Sequence, residues 1–197
     1  VDLLGNRTLQ PWSSGSAYFP IEVDVTVDGR TAFALMNSFI LPGTQLEIYD
    51  LTTRPATYLG NGVGDVQQMV MHPDGVTAYV LVNDGGSVTR IERMNVDRAT
   101  AGFGQTTAVV PGLSSSTVGI ALSGDGRRLA HWGASLPFVV VDVEDGSSTQ
   151  YQAVGSLPPA ASLPAAVALA IDGSSLFVVG ANTGLLGEFD VAFGQLR

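Results

Sequence analysis

Along this chain apolar residues alternate with small or polar ones in short runs, and the runs recur at a spacing of roughly 45 to 50 residues. Two copies are nearly superimposable: Thr31-Ala32-Phe33-Ala34-Leu35-Met36-Asn37 and Thr77-Ala78-Tyr79-Val80-Leu81-Val82-Asn83. Each follows an Asp-Gly step, Asp28-Gly29 and Asp74-Gly75. The step returns at Asp125-Gly126 and Asp172-Gly173, ahead of the weaker copies Leu129-Ala130-His131-Trp132 and Leu176-Phe177-Val178-Val179. After each copy comes an apolar run ending in aspartate: Leu46-Glu47-Ile48-Tyr49-Asp50, Met94-Asn95-Val96-Asp97, Val139-Val140-Val141-Asp142 and Gly187-Glu188-Phe189-Asp190. A fifth ending of this kind, Val1-Asp2-Leu3, opens the chain.

Several short strands per repeat with a turn between each pair predict an all-β propeller of four-stranded antiparallel blades. About four blades are present, as units near 18–60, 64–111, 115–155 and 163–197, with 1–12 belonging to a neighbouring blade. The opening Val1-Asp2-Leu3-Leu4-Gly5-Asn6-Arg7 runs in register with the ending Phe189-Asp190-Val191-Ala192-Phe193-Gly194-Gln195. The expectation is therefore an arc of a larger ring, completed by further blades or a partner chain. Each Asp-Gly step is expected to supply the positive backbone angle of a two-residue hairpin.

Aligning the four turns turns the preceding strand into columns. Five and three residues before the aspartate stand Val23, Met69, Ile120, Val167 and Val25, Met71, Leu122, Leu169. Both columns are apolar and are expected to be buried against a neighbouring blade. The intervening columns hold Glu22, Gln68, Gly119, Ala166, then Asp24, Val70, Ala121, Ala168, then Thr26, His72, Ser123, Ala170. These small or polar residues read as the side facing the propeller axis.

Composition agrees with this and removes several functions. Hydrophobic residues make up 45% and charged residues 14%, with 24 glycines and 10 prolines, which suits many short strands joined by tight turns. The longest weakly polar stretch, Leu157 to Ile171, is broken by Pro158, Pro159 and Pro164, so it makes no membrane-spanning helix. A net charge of -9, with nine basic residues that are all arginine, argues against nucleic acid. Without lysine there is no Schiff base; without cysteine there is no disulfide, thiol nucleophile or zinc-cysteine site.

The turn followed by an aromatic strand ending in Asn, a variable loop and a strand ending in Asp resembles the YVTN-type propeller repeat. Met71-His72-Pro73-Asp74-Gly75-Val76-Thr77-Ala78-Tyr79-Val80-Leu81-Val82-Asn83 carries the resemblance best; the third copy has Gly133-Ala134 where Asn is expected. That repeat is shared by lactonase-like enzymes and by bacterial surface and periplasmic proteins. The resemblance implies a bacterial, secreted or periplasmic repeat protein, and six to eight blades in most relatives. It describes how blades pack and is nearly silent on chemistry.

Candidate sites are few. Glu22, Asp24, Gln68 and His72 form one cluster, read as an axial wall that could hold a divalent cation as lactonase-like propellers do, or as a solvated tunnel lining. His131 with Trp132 is a second candidate for touching a ligand. The segment Asp24-Val25-Thr26-Val27-Asp28-Gly29 starts like a calcium loop but has Leu35 where the twelfth-position glutamate belongs. Gly60-Asn61-Gly62-Val63-Gly64 is read as a blade connection, since no helix follows to bind phosphate. Asn6-Arg7-Thr8 is a formal glycosylation acceptor. No Gly-x-Ser-x-Gly elbow exists. The resulting expectation is a non-catalytic binding or protein-interaction scaffold outside the cytoplasm, without a cofactor, meeting a protein or small molecule at the propeller face. The alternatives are a lactonase-like metal-dependent hydrolase and a segment of a cell-surface layer protein.

Overall fold

The computed structural model describes residues 18–38, 44–53, 57–83, 89–111, 113, 117–133, 137–157, 164–192 and 195–196. The stretch 1–12, with its Asn6-Arg7-Thr8, and the Gly133-Ala134 step at Ala134 lie outside the described residues.

Four antiparallel sheets of four strands follow one another in chain order. The first holds β1 (Tyr18–Val25), β2 (Thr31–Ser38), β3 (Thr44–Asp50) and β4 (Thr57–Gly64). The second holds β5 (Val66–Met71), β6 (Thr77–Asn83), β7 (Thr89–Asn95) and β8 (Thr106–Val110). The third holds β9 (Thr117–Leu122), β10 (Arg128–Gly133), β11 (Phe138–Asp142) and β12 (Ala153–Leu157). The fourth holds β13 (Pro164–Leu169), β14 (Ser175–Gly180), β15 (Leu186–Asp190) and β16 (Gln195–Leu196). The first strands of the sheets, β1, β5, β9 and β13, pack on one another in turn, so each sheet is a propeller blade with its first strand innermost. Among the described residues the ring is open: the fourth blade does not close on the first. No helix of the described residues is long and apolar enough to cross a membrane.

Three apolar layers lie between consecutive blades. Phe33, Leu35, Leu46 and Ile48 of blade one meet Met69, Val80 and Met94 of blade two. Tyr79, Leu81 and Ile91 meet Ile120, Leu129 and Val141. Trp132, Phe138 and Val140 meet Leu176, Val178 and Val191. Burial of such side chains, at about 25 cal/mol per Å² of apolar surface, is the main force holding blade to blade.

The hairpin between the first two strands of each blade is longer than two residues. The closing bond runs from Thr26 N–H to Thr31 O, His72 to Thr77, Ser123 to Arg128 and Ala170 to Ser175, leaving four residues in each loop. Only the glycine takes positive φ, +68° to +78°, whereas a two-residue type I′ turn demands it of both central residues. The aspartate serves differently: its Oδ1 accepts the N–H two residues on, from Arg30, Val76, Arg127 and Ser174. A second Asx turn ends the third strand, at Asp50, Asn95, Asp142 and Asp190. In blade two the repeat position is thus Asn95, paired with Thr77, and not Asp97. An amide oxygen accepts that bond as well as a carboxylate does.

Two other expectations change. Gly60 to Gly64 continues β4 opposite β3 and is not a connection. Val23 and Val25 are largely exposed on β1, whereas Met69 and Ile120 in the same column are buried, because this column faces the preceding blade.

Candidate functional site

The direction of the polar inner-strand side chains follows from register. Glu22 stands opposite Leu35 and Asp24 opposite Phe33, and directly paired residues share a face. Leu35 and Phe33 belong to the layer between blades one and two. Glu22 and Asp24 therefore point at blade two and not at the axis. A blade's inner strand presents its two faces to the two neighbouring blades, so alternation sorts its residues into preceding and following sides.

Each of these groups reaches the backbone of the next blade, three of them its inner strand and His72 its first hairpin loop. Asp24 Oδ2 accepts the Met71 N–H at 3.3 Å while its Oδ1 accepts the Val25 N–H at 2.8 Å. Glu22 accepts the Met69 N–H. Gln68 Oε1 accepts the Ile120 N–H at 2.9 Å. His72 Nε2 donates to Gly126 O at 3.1 Å, while Nδ1 lies 3.1 Å from the Asp74 N and 3.0 Å from Asp74 Oδ2. Glu22, Asp24, Gln68 and His72 thus form a set of polar staples, two from blade one to two and two from blade two to three. The series ends there. Blade three carries Gly119, Ala121 and Ser123 at the same positions, and Ser123 bonds within its own loop, to Asp125 and the Arg128 N–H.

Burial raises the Glu22 carboxyl above its usual range, the Met69 N–H opposes this, and the Asp24 charge adds to it. As a cation site the set fits poorly. Calcium or magnesium takes six or more oxygens, and here two carboxylates already hold backbone amides. No group of three His, Asp or Glu side chains converges among the described residues.

The second candidate pair is split by the strand. His131 stands opposite Ile120 and Val139 and faces blade two, while Trp132 lies in the layer toward blade four. Both are buried. Desolvation lowers the His131 imidazole to about 4, so it is neutral at pH 7. The Trp132 ring lies 6.0 Å from Phe138 and directly over Gly119, where a Cβ would come 2.2 Å from Cζ2. One ligand at one surface cannot touch both.

Sequence reasoning missed the arginine clasps. Arg98, in the loop after β7, binds Asp50 of blade one at 2.7 Å, and with Thr52 holds that carboxyl well below the usual range. Arg93 makes a two-pronged pair with Asp145 of blade three, at 2.7 and 2.6 Å. Glu92 is buried against Arg90 and Thr106. Below the Arg98–Asp50 pair a groove of about 650 Å³ opens between blades one and two, lined by Val27, Arg30, Val76 and Asp97 among others. These arginines stand outside the repeat columns, so nothing periodic marked them.

The fold has relatives among solved structures. With a candidate 6-phosphogluconolactonase from Bacteroides fragilis the chain shares 18% identity at a TM-score of 0.62, over 95% of this chain and 55% of that one. With hydrazine synthase from Kuenenia stuttgartiensis it shares 14% at 0.60, over 88% and 53%. No family model matches the sequence. No curated protein matches it either. The chain spans about half the length of these structures, and the likeness shows a propeller fold.

Proposed function

We propose that this chain is a non-catalytic binding or protein-interaction scaffold built on YVTN-like blades and working in the periplasm or outside a bacterial cell. The observation that carries this reading is the use made of Glu22, Asp24, Gln68 and His72. Each bonds the backbone of the next blade and so stiffens the arc, which leaves broad blade edges and loops as the surfaces available to a partner. A metal-dependent, lactonase-like hydrolase is the second reading. It is favoured by the likeness to the Bacteroides fragilis protein and by two carboxylates two residues apart, one of them biased toward protonation.

The two separate in one experiment on the purified chain. Elemental analysis after dialysis against calcium, magnesium, manganese or zinc is paired with a lactone-hydrolysis assay. The scaffold reading expects neither stoichiometric metal nor turnover above background. One bound cation per chain, lost together with hydrolysis in Glu22→Ala or Asp24→Ala, would establish the hydrolase instead.

A further inference from the structure

Each Asp-Gly loop lies beside the turn that ends the third strand of its own blade, and this brings two repeat positions together. The residue after the glycine is Arg30, Val76, Arg127 or Ser174, and its carbonyl accepts the N–H of Leu51, Val96, Val143 or Val191. The next residue along is Thr52, Asp97, Glu144 or Ala192, whose N–H closes the Asx turn in every blade. In blade three the two positions hold an ion pair, Arg127 with Glu144 at 3.5 Å. In blade two they hold Val76 and Asp97. The acid is present there, and a valine stands where blade three has its arginine.

No other described residue supplies the missing cation. Asp97 is half-buried, and its Oδ1 accepts the Ala99 N–H at 2.9 Å, but among the described residues no guanidinium touches it. The arginines around it are matched to other carboxylates: Arg98 to Asp50 at 2.7 Å, Arg93 to Asp145 at 2.7 and 2.6 Å, and Arg30 to Asp28 at 3.8 Å. Nor does the turn use the Asp97 side chain, since Asn95 provides the acceptor. Both Val76 and Val27, which packs over Gly75, are exposed, at 43 and 72%. These residues line open space. The groove of about 650 Å³ between blades one and two is walled by Val27, Val76 and Asp97, and a second groove of about 310 Å³, reaching Arg93 and Thr107, shares Val76 and Asp97 with it. The two adjoin as one trough with Val76 and Asp97 at its middle.

We propose that this trough docks an extended segment of a partner protein that carries an arginine beside an aliphatic residue. The guanidinium takes, against Asp97, the place that Arg127 takes against Glu144, and the aliphatic side chain lies on Val76 and Val27. The proposal rests on the scaffold reading and names the kind of partner. A carboxylate fixes the position and direction of a planar guanidinium, while the valines contribute apolar area. The chain's net charge of -9 favours encounter with a basic segment.

The probe is the peptide Gly-Ser-Val-Arg-Val-Ser-Gly, titrated up to about 1 mM into the isotope-labelled chain while its amide NMR signals are followed. Saturable shifts centred on Val76, Asp97 and Ala99 are the expected result. Citrulline in place of the peptide's arginine keeps the shape and removes the charge, and it should weaken binding about fivefold or more, as should Asp97→Asn in the chain. Val76→Arg, which copies blade three, should abolish binding because the chain then supplies its own guanidinium. Glu144→Gln removes the same charge from a carboxylate that is already paired and should leave the affinity unchanged. Circular dichroism checks that each variant is folded. The proposal is overturned by the absence of saturable binding, by equal binding of the citrulline peptide, by shifts centred elsewhere, or by Glu144→Gln weakening binding as much as Asp97→Asn. Any of these would leave the scaffold reading to the metal and lactone assays, which do not depend on this trough.

Discussion

The glycines of the four Asp-Gly turns share one backbone conformation but not one surrounding, and that separates two contributions usually merged. All four have φ between +68° and +78°, where an added Cβ costs about 1–2 kcal/mol. At Gly29 that is the whole cost, since a Cβ would meet nothing within 4 Å. At Gly75 the nearest atom is Val27 Cβ at 3.4 Å, an ordinary contact. At Gly126 a Cβ would stand 2.2 Å from His72 Nε2, and at Gly173 it would stand 2.5 Å from Arg128 Cγ. The imidazole cannot retreat the necessary ångström or so and keep its 3.1 Å bond to Gly126 O. Gly126→Ala therefore adds a lost hydrogen bond, about 0.5–1.5 kcal/mol, and overpacking of about 1–3 kcal/mol. The expected order of destabilisation is Gly29 below or equal to Gly75, then Gly173, then Gly126, with Gly126→Ala at about 3–5 kcal/mol. Urea unfolding followed by circular dichroism measures each, and His72→Ala completes a double-mutant cycle. Without the ring, Gly126→Ala should cost only the backbone part, giving a coupling of about 1.5 kcal/mol or more. Equal costs at Gly29 and Gly126, or an additive cycle, would refute the claim that His72 of one blade is seated on the turn of the next.

Two further outcomes follow from buried groups. His131 has a folded pKa of about 4 against 6.5 when solvated, so the unfolded chain binds more protons between these values and stability falls as pH drops from 6.5 to 4, by about 3 kcal/mol in the limit. His131→Val, which copies Val80 and Val178, should abolish that window in thermal melts while leaving the loss below pH 4, where the lowered carboxyls of Asp74 and Asp142 become protonated; an unchanged pH profile would contradict it. Gly119→Ala drives a Cβ into the Trp132 ring and should both destabilise the fold by about 1–3 kcal/mol and shift the tryptophan emission; an emission spectrum and melting temperature like those of the unaltered chain would show that the ring does not rest there.

The repeat itself was legible in the residues because its signals are local. Strand alternation, the Asp-Gly loops and the apolar layers are decided within ten or so residues, and four copies made them plain. The turn residues were recognised, but their geometry was not: Asp28, Asp74, Asp125 and Asp172 act through carboxylate bonds in four-residue loops, and Asn95 replaces the expected Asp97 because the Asx turn needs only an acceptor oxygen.

What each face meets could be decided only by the stacking of sheets. Alternation separates Glu22 and Asp24 from Val23 and Val25, yet says nothing of which neighbour lies on either side. The stacking turned the first pair toward blade two as staples and set the second pair on the opposite face, largely exposed among the described residues. It likewise sent His131 and Trp132, adjacent in sequence, into two different interfaces, and brought Arg98 to Asp50 and Arg93 to Asp145 across blade boundaries 48 and 52 residues apart in the chain. Such pairings depend on the angle and spacing between whole sheets, which no single segment encodes.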